Sequence, residues 1–193
     1  KKMLAEPSIK AKLNDLHATF LEPSAGEGAF LTEILDQKLN YVDQISHKNS
    51  WCDNAMWALM SIYAIELLTD NIIVARDLMM QIVQAHYQAF FDKKLTIRTN
   101  FFKSAKFVIK TNVVQGNSLT YLNNEGSPIT FSDWNPADKN MVKREEYTYR
   151  SLFDNEADDV TQGQLSLFDL DDDQEEKGYK VCPVTKIYKE EKE

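Results

Sequence analysis

Residues 20–31 constrain the fold more than any other part of the chain. Residues 18–21 are small or apolar, as expected for a strand buried inside a sheet, and the Glu-Pro-Ser of residues 22–24 ends that pattern. Gly26 and Gly28 then allow backbone conformations, and a close approach of a ligand, that a Cβ atom would prevent. Apolar residues recur after them at helical spacing. The stretch therefore predicts a strand, a tight loop, and a helix whose first N–H groups are available to a ligand.

Strands and helices alternate along the rest of the sequence. Strands are predicted at residues 19–21, 62–66, 112–117 (with its loop) and 129–134, and helices at 54–61, from 71 onward and at 98–109. This alternation is typical of an α/β fold with a mainly parallel sheet and helices on both faces. Such sheets bind ligands at the carboxyl ends of their strands, so we expect residues 22–28, Glu66 and Asn117 to converge there.

Charge divides the chain of 193 residues into two regions. Residues 151–193 contain 13 acidic and 5 basic side chains, so this end carries the whole net charge of -8. Residues 155–178 are also polar and poor in aromatic residues, which is typical of weakly ordered chain. We predict one domain over residues 1–154 and an acidic, largely flexible tail over residues 155–193.

Residues 22–30, Glu-Pro-Ser-Ala-Gly-Glu-Gly-Ala-Phe, resemble the first motif of the S-adenosylmethionine-dependent adenine-N6 DNA methyltransferases, which include the modification subunits of restriction-modification systems. The resemblance covers about residues 3–118. It implies a Rossmann-like methyltransferase sheet, incomplete here because little chain remains after residue 134 for the last strands. It also implies S-adenosylmethionine as the cofactor. The cofactor-binding residues that it implies in this stretch are Glu22, Ser24, Gly26, Gly28 and Phe30.

Two further positions resemble parts of the same cofactor site. Glu66 ends the second predicted strand, where a carboxylate can accept hydrogen bonds from the ribose hydroxyls of a nucleoside. Asn117 follows the third strand, where the family has an Asp or Asn that bonds the adenine amino group of the cofactor. Each residue has a structural alternative. Glu66 is then an acid that caps a nearby turn, and Asn117 belongs to an ordinary Gly-Asn-Ser turn.

The catalytic motif of the family is not intact in this sequence. Adenine-N6 methyltransferases carry (Asn/Asp/Ser)-Pro-Pro-(Tyr/Phe) after their fourth strand, and its oxygens accept bonds from the amino group of a flipped base. Asn135 and Pro136 follow the fourth predicted strand and keep only the Asn-Pro pair. If these two residues are catalytic, the chain is a bacterial or phage DNA methyltransferase, or a related enzyme that acts on protein or RNA. If they form only an ordinary Asn-Pro turn, the chain is a non-catalytic module.

A second motif lies in the acidic tail, at Gln164, Leu165, Ser166, Leu167 and Phe168. This pentapeptide is similar to the segment by which bacterial polymerases and repair proteins bind the DNA polymerase sliding clamp. The resemblance implies that Leu167 and Phe168 fill an apolar pocket while Gln164 forms hydrogen bonds. The alternative is an edge strand that packs on the domain, since the apolar residues alternate with polar ones. If this segment binds the clamp, the alternative to an enzyme is a non-catalytic, methyltransferase-like module that modulates replication or restriction.

Basic side chains indicate DNA as a second partner. Lys103, Lys106 and Lys110 share one face of a predicted helix, and such charges attract phosphates without reading sequence. A second basic group lies near the predicted catalytic loop and consists of Lys139, Lys143, Arg144 and Arg150. Either group can instead be an ordinary solvated surface. A partner subunit that supplies the missing strands is compatible with the short sheet.

The remaining signals concern metals and location. Cys52 and Cys182 are far apart, and neither they nor the three histidines have the spacing of metal ligands. No apolar run is long enough to span a membrane, and the basic residues at positions 1 and 2 precede no apolar segment of a signal peptide. We therefore expect a cytoplasmic protein with reduced thiols and no metal.

Overall fold

The computed structural model describes residues 6–138, 140–154 and 178–192, which form a mixed α/β protein with two small sheets. The first sheet is parallel, in the order β1 (Phe20–Glu22), β2 (Ile62–Glu66) and β3 (Val113–Gln115). Phe20 lies opposite Ile62, and Ala64 lies opposite Val113. Every residue of the central strand β2 is buried, whereas β1 is half-buried at one edge. The α/β class and the first three predicted strands are therefore confirmed.

Helices precede or follow each strand of the parallel sheet. The helices beside the parallel sheet are α1 (Pro7–Leu13), α2 (Ala29–Ile45), α3 (Trp51–Met60), α4 (Thr69–Phe91) and α5 (Asn100–Asn112), while the short α6 (Ser151–Asp154) and a 3₁₀ helix at Val184–Lys189 follow strands of the second sheet. Helix α2 runs to Ile45, and the buried Val42 continues its apolar face into the last turns. Thr99 caps α5, since its Oγ1 accepts a hydrogen bond from the N–H of Phe102 at 3.2 Å. Among the helices of the described ranges, none is both long and apolar enough to cross a membrane.

The fourth predicted strand forms, but it does not join the parallel sheet. Strand β4 (Thr130–Pro136) pairs antiparallel with β5 (Met141–Thr148), which in turn pairs with β6 (Cys182–Pro183). The buried Phe131 packs edge-on against Tyr63 of β2 at a ring separation of 5.4 Å, and the Tyr63 hydroxyl donates to the Ser132 carbonyl at 2.8 Å. The expectation of a mainly parallel sheet is thus wrong for β4. Its nearest partner in the chain is the adjacent β5, and a short hairpin pairs more easily than a distant parallel strand.

Residues 178–192 belong to the folded part of the protein, which corrects the prediction of a flexible tail for this segment. The side chains of Val184 and Ile187 are buried in the same core as the parallel sheet. Arg144 of β5 fixes the segment further: its guanidinium lies 4.5 Å from the ring centre of Tyr179 and forms ion pairs with Glu146 and Glu190. Apolar burial and this charged contact outweigh the acidic composition.

Candidate functional site

The glycine loop lies at the carboxyl end of β1, and its two glycines have different roles. Both have positive φ angles, 54° for Gly26 and 84° for Gly28. A Cβ atom on Gly28 would lie 2.7 Å from the Cβ of Ala75, so this glycine lets the loop pack directly on α4. A Cβ atom on Gly26 would meet no atom within 4 Å. Gly26 therefore leaves open space beside the loop, which is what the approach of a ligand requires.

Glu66 joins the glycine loop to the end of β2. Its Oε2 accepts the N–H of Gly26 at 2.7 Å, and its Oε1 accepts the N–H of Leu68 at 2.9 Å and the side-chain amide of Asn71 at 3.2 Å. Burial alone would raise the pKa of Glu66, but these hydrogen bonds outweigh it and lower the pKa. The side chain is therefore an ionised acceptor at neutral pH.

Glu66 has little acceptor capacity left for a ligand. A carboxylate offers about four acceptor positions, and the donors on Gly26, Leu68 and Asn71 already use most of them. Both hydroxyls of a ribose could bind only if one of these donors moved away. Glu66 thus serves first as the acid that holds the turn together, and a ligand hydroxyl would share its remaining acceptor capacity.

Asn117 lies at the same edge of the sheet, directly after β3. The preceding Gly116 donates its N–H to the carbonyl of Glu66 at 3.0 Å, which continues the parallel pairing beyond β3. The Oδ1 of Asn117 accepts the N–H of Leu119 at 2.9 Å, which is the turn predicted as its structural alternative. An amide oxygen has two lone pairs, so this turn leaves one for an amino group of a ligand.

Three leucines at this edge are exposed and contribute apolar surface to it. Leu67 and Leu68 follow Glu66 and are 51% and 58% exposed, and Leu119 follows the Asn117 turn and is 88% exposed. Sequence reasoning missed them because it treated the loops only as sources of polar groups. The signal available was the Leu-Leu pair directly after a strand-end acid. Together they place apolar surface next to Glu66 and Asn117, as a planar heterocycle would require.

The other residues of the predicted cofactor motif lie in the same loop and helix start. Glu22 ends β1, and its Oε1 accepts the N–H of Ser24 at 3.2 Å. Ser24 is exposed, and Phe30 is half-buried in the first turn of α2, where it packs against the core. The structure therefore brings Glu22, Ser24 and Phe30 to the edge that carries Gly26 and Glu66.

Asn135 and Pro136 lie at the opposite end of the parallel sheet. They line a cavity together with Thr19 and Ser61, which directly precede β1 and β2. We call this space the amino-end cavity. The length of β2 separates it from Glu66, and its four residue steps correspond to about 13 Å at roughly 3.3 Å per residue. The predicted catalytic pair is therefore not brought together with the predicted cofactor residues.

Strand β4 accounts for this separation by its direction. Its start lies near the glycine-loop end, because a Cβ on Gly116 would meet the side chain of Ile129 at 2.6 Å. Its end lies near the start of β3, because the Trp134 Nε1 donates to the Oδ1 of Asn112 at 2.9 Å. β4 thus runs opposite to the parallel strands and carries Asn135 away from their carboxyl ends. In β4 the Asn135 amide donates to Asp133 at 2.9 Å and to Glu145 at 3.2 Å.

The predicted contacts for macromolecules divide between described and undescribed parts of the chain. Gln164, Leu165, Ser166, Leu167 and Phe168 lie outside the described residues, as does Lys139. Lys103, Lys106 and Lys110 are exposed on α5, in agreement with their predicted common face. Arg144, in contrast, lies among acidic and aromatic side chains that hold residues 178–192. Arg144 thus has a structural role.

No group of three or more His, Cys, Asp or Glu side chains in residues 6–138, 140–154 and 178–192 is arranged to hold a metal ion. The polar groups at the carboxyl edge are instead single acceptors and backbone donors next to apolar surface. Comparison of the chain with protein-family models, with curated proteins and with solved structures gave no match.

Proposed function

We propose that the carboxyl edge of the parallel sheet binds S-adenosylmethionine and that the chain is a methyltransferase-like protein of the adenine-N6 DNA type. The observation that carries this proposal is the hydrogen bond of 2.7 Å between the N–H of Gly26 and Glu66, beside open space at Gly26. It joins a glycine loop and a strand-end carboxylate at one edge, where α/β proteins bind nucleotides. The three parallel strands are then one half of a Rossmann-like sheet.

Each part of the edge suits one part of the cofactor. The open space at Gly26 suits the methionine portion, the remaining acceptor capacity of Glu66 suits one ribose hydroxyl, and the free lone pair of Asn117 suits the adenine amino group. The exposed Leu67 and Leu119 would cover the faces of the adenine ring. The cofactor supplies an electrophilic methyl group, while these side chains bind and orient it.

We further propose that the chain alone does not transfer the methyl group. Transfer needs the acceptor atom within about 3–3.5 Å of the methyl carbon, and Asn135 is separated from Glu66 by the length of β2. This separation favours the non-catalytic alternative over the enzyme. Methylation of DNA would then require a catalytic loop from a partner subunit.

Calorimetric titration with S-adenosylmethionine tests the cofactor site. We expect the wild-type protein to bind it, and Gly26→Val to weaken binding at least tenfold, because the new side chain would fill the open space. Gly126→Val is the matched control: Gly126 also has a positive φ, 79°, and open space around its Cβ position, so both variants carry similar backbone strain. Absence of binding to the wild type, or equal loss in both variants, would contradict the proposal.

An assay of labelled methyl transfer to unmethylated DNA tests whether the chain alone transfers the methyl group. We expect cofactor binding without transfer by the chain alone. Transfer that persists in Asn135→Ala would show that catalysis uses other residues of this chain. Transfer that is lost in Asn135→Ala would restore the predicted catalytic pair. Either result would contradict the non-catalytic proposal without affecting the cofactor site.

Clamp binding is the second candidate function, and the sequence motif at residues 164–168 is what supports it. The motif at residues 164–168 lies between Asp154 and Gly178, and both of these residues belong to the folded part. In a pull-down with a bacterial sliding clamp, we expect capture by the wild type and none by the double variant Leu167→Ala/Phe168→Ala. Unchanged capture by the double variant would contradict clamp binding through residues 164–168.

A further inference from the structure

A basic surface forms where the start of α5 meets the 3₁₀ helix. This short helix buries one side in the core, and because it has three residues per turn, Lys186 and Lys189 share its exposed side. Lys103 of α5 and Lys189 meet at Tyr188: their Nζ atoms lie 5.4 and 5.6 Å from the centre of its ring. We call Lys103, Lys186, Lys189 and Tyr188 the lysine surface.

The ring of Tyr188 is held in position at this surface. Its hydroxyl donates to the Oδ1 of Asn100, the first residue of α5, at 2.8 Å. The side chain is half-buried, so part of the ring faces solvent. The cation–π contacts with the two lysines are weak, because both ammonium groups stay in water. An ammonium group can therefore move from the ring to a phosphate and leave a face of the ring for a planar group.

The positive charge of the lysine surface is not offset by ion pairs. Within residues 6–138, 140–154 and 178–192, none of its three lysines pairs with a carboxylate. The acids that follow the 3₁₀ helix are engaged elsewhere, since Glu190 pairs with Arg144 and Glu191 pairs with Lys180. Positive charge is thus concentrated here, although the whole chain carries a net charge of -8.

Two further lysines extend the positive charge along α5. Lys106 and Lys110 are exposed on the same helix as Lys103. Lys106 borders a groove whose wall on α4 includes Asp77, so a carboxylate partly offsets its charge. The N-terminal end of α5 adds the partial positive charge of a helix start. The strongest positive charge therefore lies at the lysine surface, beside the ring of Tyr188.

The combination of ammonium groups with an aromatic ring favours one class of polyanion. Lysines attract phosphates as point charges, and an aromatic ring beside them can stack on an unpaired base of any sequence. The bases of a duplex are already stacked on each other, so the ring would add nothing to duplex binding. An acidic peptide offers carboxylates but no base. Single-stranded nucleic acid alone among these uses both features.

We propose that the lysine surface binds single-stranded nucleic acid, with phosphates at Lys103 and Lys189 and a base on the ring of Tyr188. This inference does not depend on the proposed cofactor site, which lies on the loops after the parallel strands. The sequence predicted phosphate contacts for one face of α5 only. The 3₁₀ helix, which composition had assigned to an acidic tail, supplies the ring and two of the lysines.

Fluorescence anisotropy of a labelled thymidine dodecamer tests the proposal with the full chain. We expect saturable binding with a dissociation constant of about 1–100 µM at physiological salt, the usual range for binding without sequence preference. A duplex of the same length and polyglutamate, each at equal charge concentration, should displace the dodecamer at least fivefold less effectively than unlabelled dodecamer. Absence of saturable binding, or equal displacement by either competitor, would overturn the proposal.

A double variant tests the role of the lysines. Lys103→Gln/Lys189→Gln should weaken binding at least fivefold and reduce the slope of log affinity against log salt by about 1.4, at roughly 0.7 per phosphate contact. Lys10→Gln/Lys12→Gln removes the same charge from exposed positions of α1 and should bind like the wild type. Equal loss in both double variants, or an unchanged salt slope in the first, would refute the role of the lysine surface.

Two variants of Tyr188 separate stacking from charge. Tyr188→Leu should weaken binding of the dodecamer at least fivefold without a change in the salt slope, because it removes the ring and no charge. Tyr188→Phe keeps the ring, loses only the hydrogen bond to Asn100, and should bind like the wild type. Unchanged affinity in Tyr188→Leu would contradict stacking. Binding of S-adenosylmethionine should be the same in all these variants, so failure of one site is distinguishable from failure of the other.

Discussion

Lys38 is a fully buried lysine whose ammonium group is held by backbone carbonyls. Its Nζ donates to the carbonyl oxygens of Asp15 at 2.7 Å and Ala18 at 2.9 Å, in the segment that leads into β1. Burial lowers its pKa from 10.5 to about 7, although the charge of Asp15 opposes the change. The proton on Lys38 is therefore bound far more weakly in the folded protein than in the unfolded chain.

This difference makes the free energy of unfolding depend on pH. Between about pH 7 and pH 10.5 the unfolded chain keeps the proton and the folded protein releases it, so stability rises with pH. The contribution is complete above the unfolded pKa and is lost as the pH falls through about 7. At about 1.36 kcal/mol per pH unit, and starting from half-deprotonation at pH 7, the gain between pH 7 and pH 9 is about 2 kcal/mol.

The variant Lys38→Met isolates this contribution, because methionine has similar bulk and does not titrate. We expect the stability of the wild type relative to the variant to increase by about 2 kcal/mol from pH 7 to pH 9, measured by urea unfolding at each pH. Comparison of the two proteins cancels the titration of cysteines and tyrosines. Lys48→Met makes the same substitution at an exposed position and is the matched control. A pH-independent difference for Lys38→Met would refute the reasoning.

Three further predictions concern contacts that hold the sheets and helices. Gly28→Ala should cost about 2–4 kcal/mol, because its Cβ would strain a positive φ and collide with Ala75 at 2.7 Å; a loss below about 1 kcal/mol on urea unfolding would contradict this. Arg144→Met leaves the partly buried Glu190 without its ion-pair partner, so we expect a loss of about 1–3 kcal/mol and faster proteolysis within residues 178–192; unchanged proteolysis would contradict the role of Arg144. Asp43→Asn weakens two contacts of 2.7 Å, one with an indole nitrogen and one with an imidazole nitrogen. We expect the free energy of unfolding to fall by about 1–3 kcal/mol, which would be seen as a lower melting temperature. An unchanged melting temperature would refute that assignment.

The glycine loop and β2 could be predicted from the sequence because their determinants are local. The apolar residues 62–66 and the acid at the end of this run define β2, whose bounds match the prediction. Gly26 and Gly28 adopt the positive φ angles that glycine favours. Parallel pairing then brings Glu66 next to the loop, because strands joined by helical connections align their carboxyl ends.

The position of Asn135 could not be predicted, because it depends on the partner of β4. A strand pattern does not specify whether the strand joins the parallel sheet or a neighbouring hairpin. Pairing with β5 reverses β4 relative to β2 and places Asn135 at the amino end of the sheet. The same limit applies to residues 178–192, whose burial follows from contacts with α5 and β5 that are distant in sequence.

The sequence by itself therefore determined the loop, the central strand and the acid that follows it, since a few neighbouring residues decide each of them. Only the tertiary structure decided how these groups are used. It showed that three donors of the fold already engage the carboxylate of Glu66, and that the Asn-Pro pair lies against a separate cavity. Both results depend on contacts between residues that are far apart in the chain, and local patterns do not record such contacts.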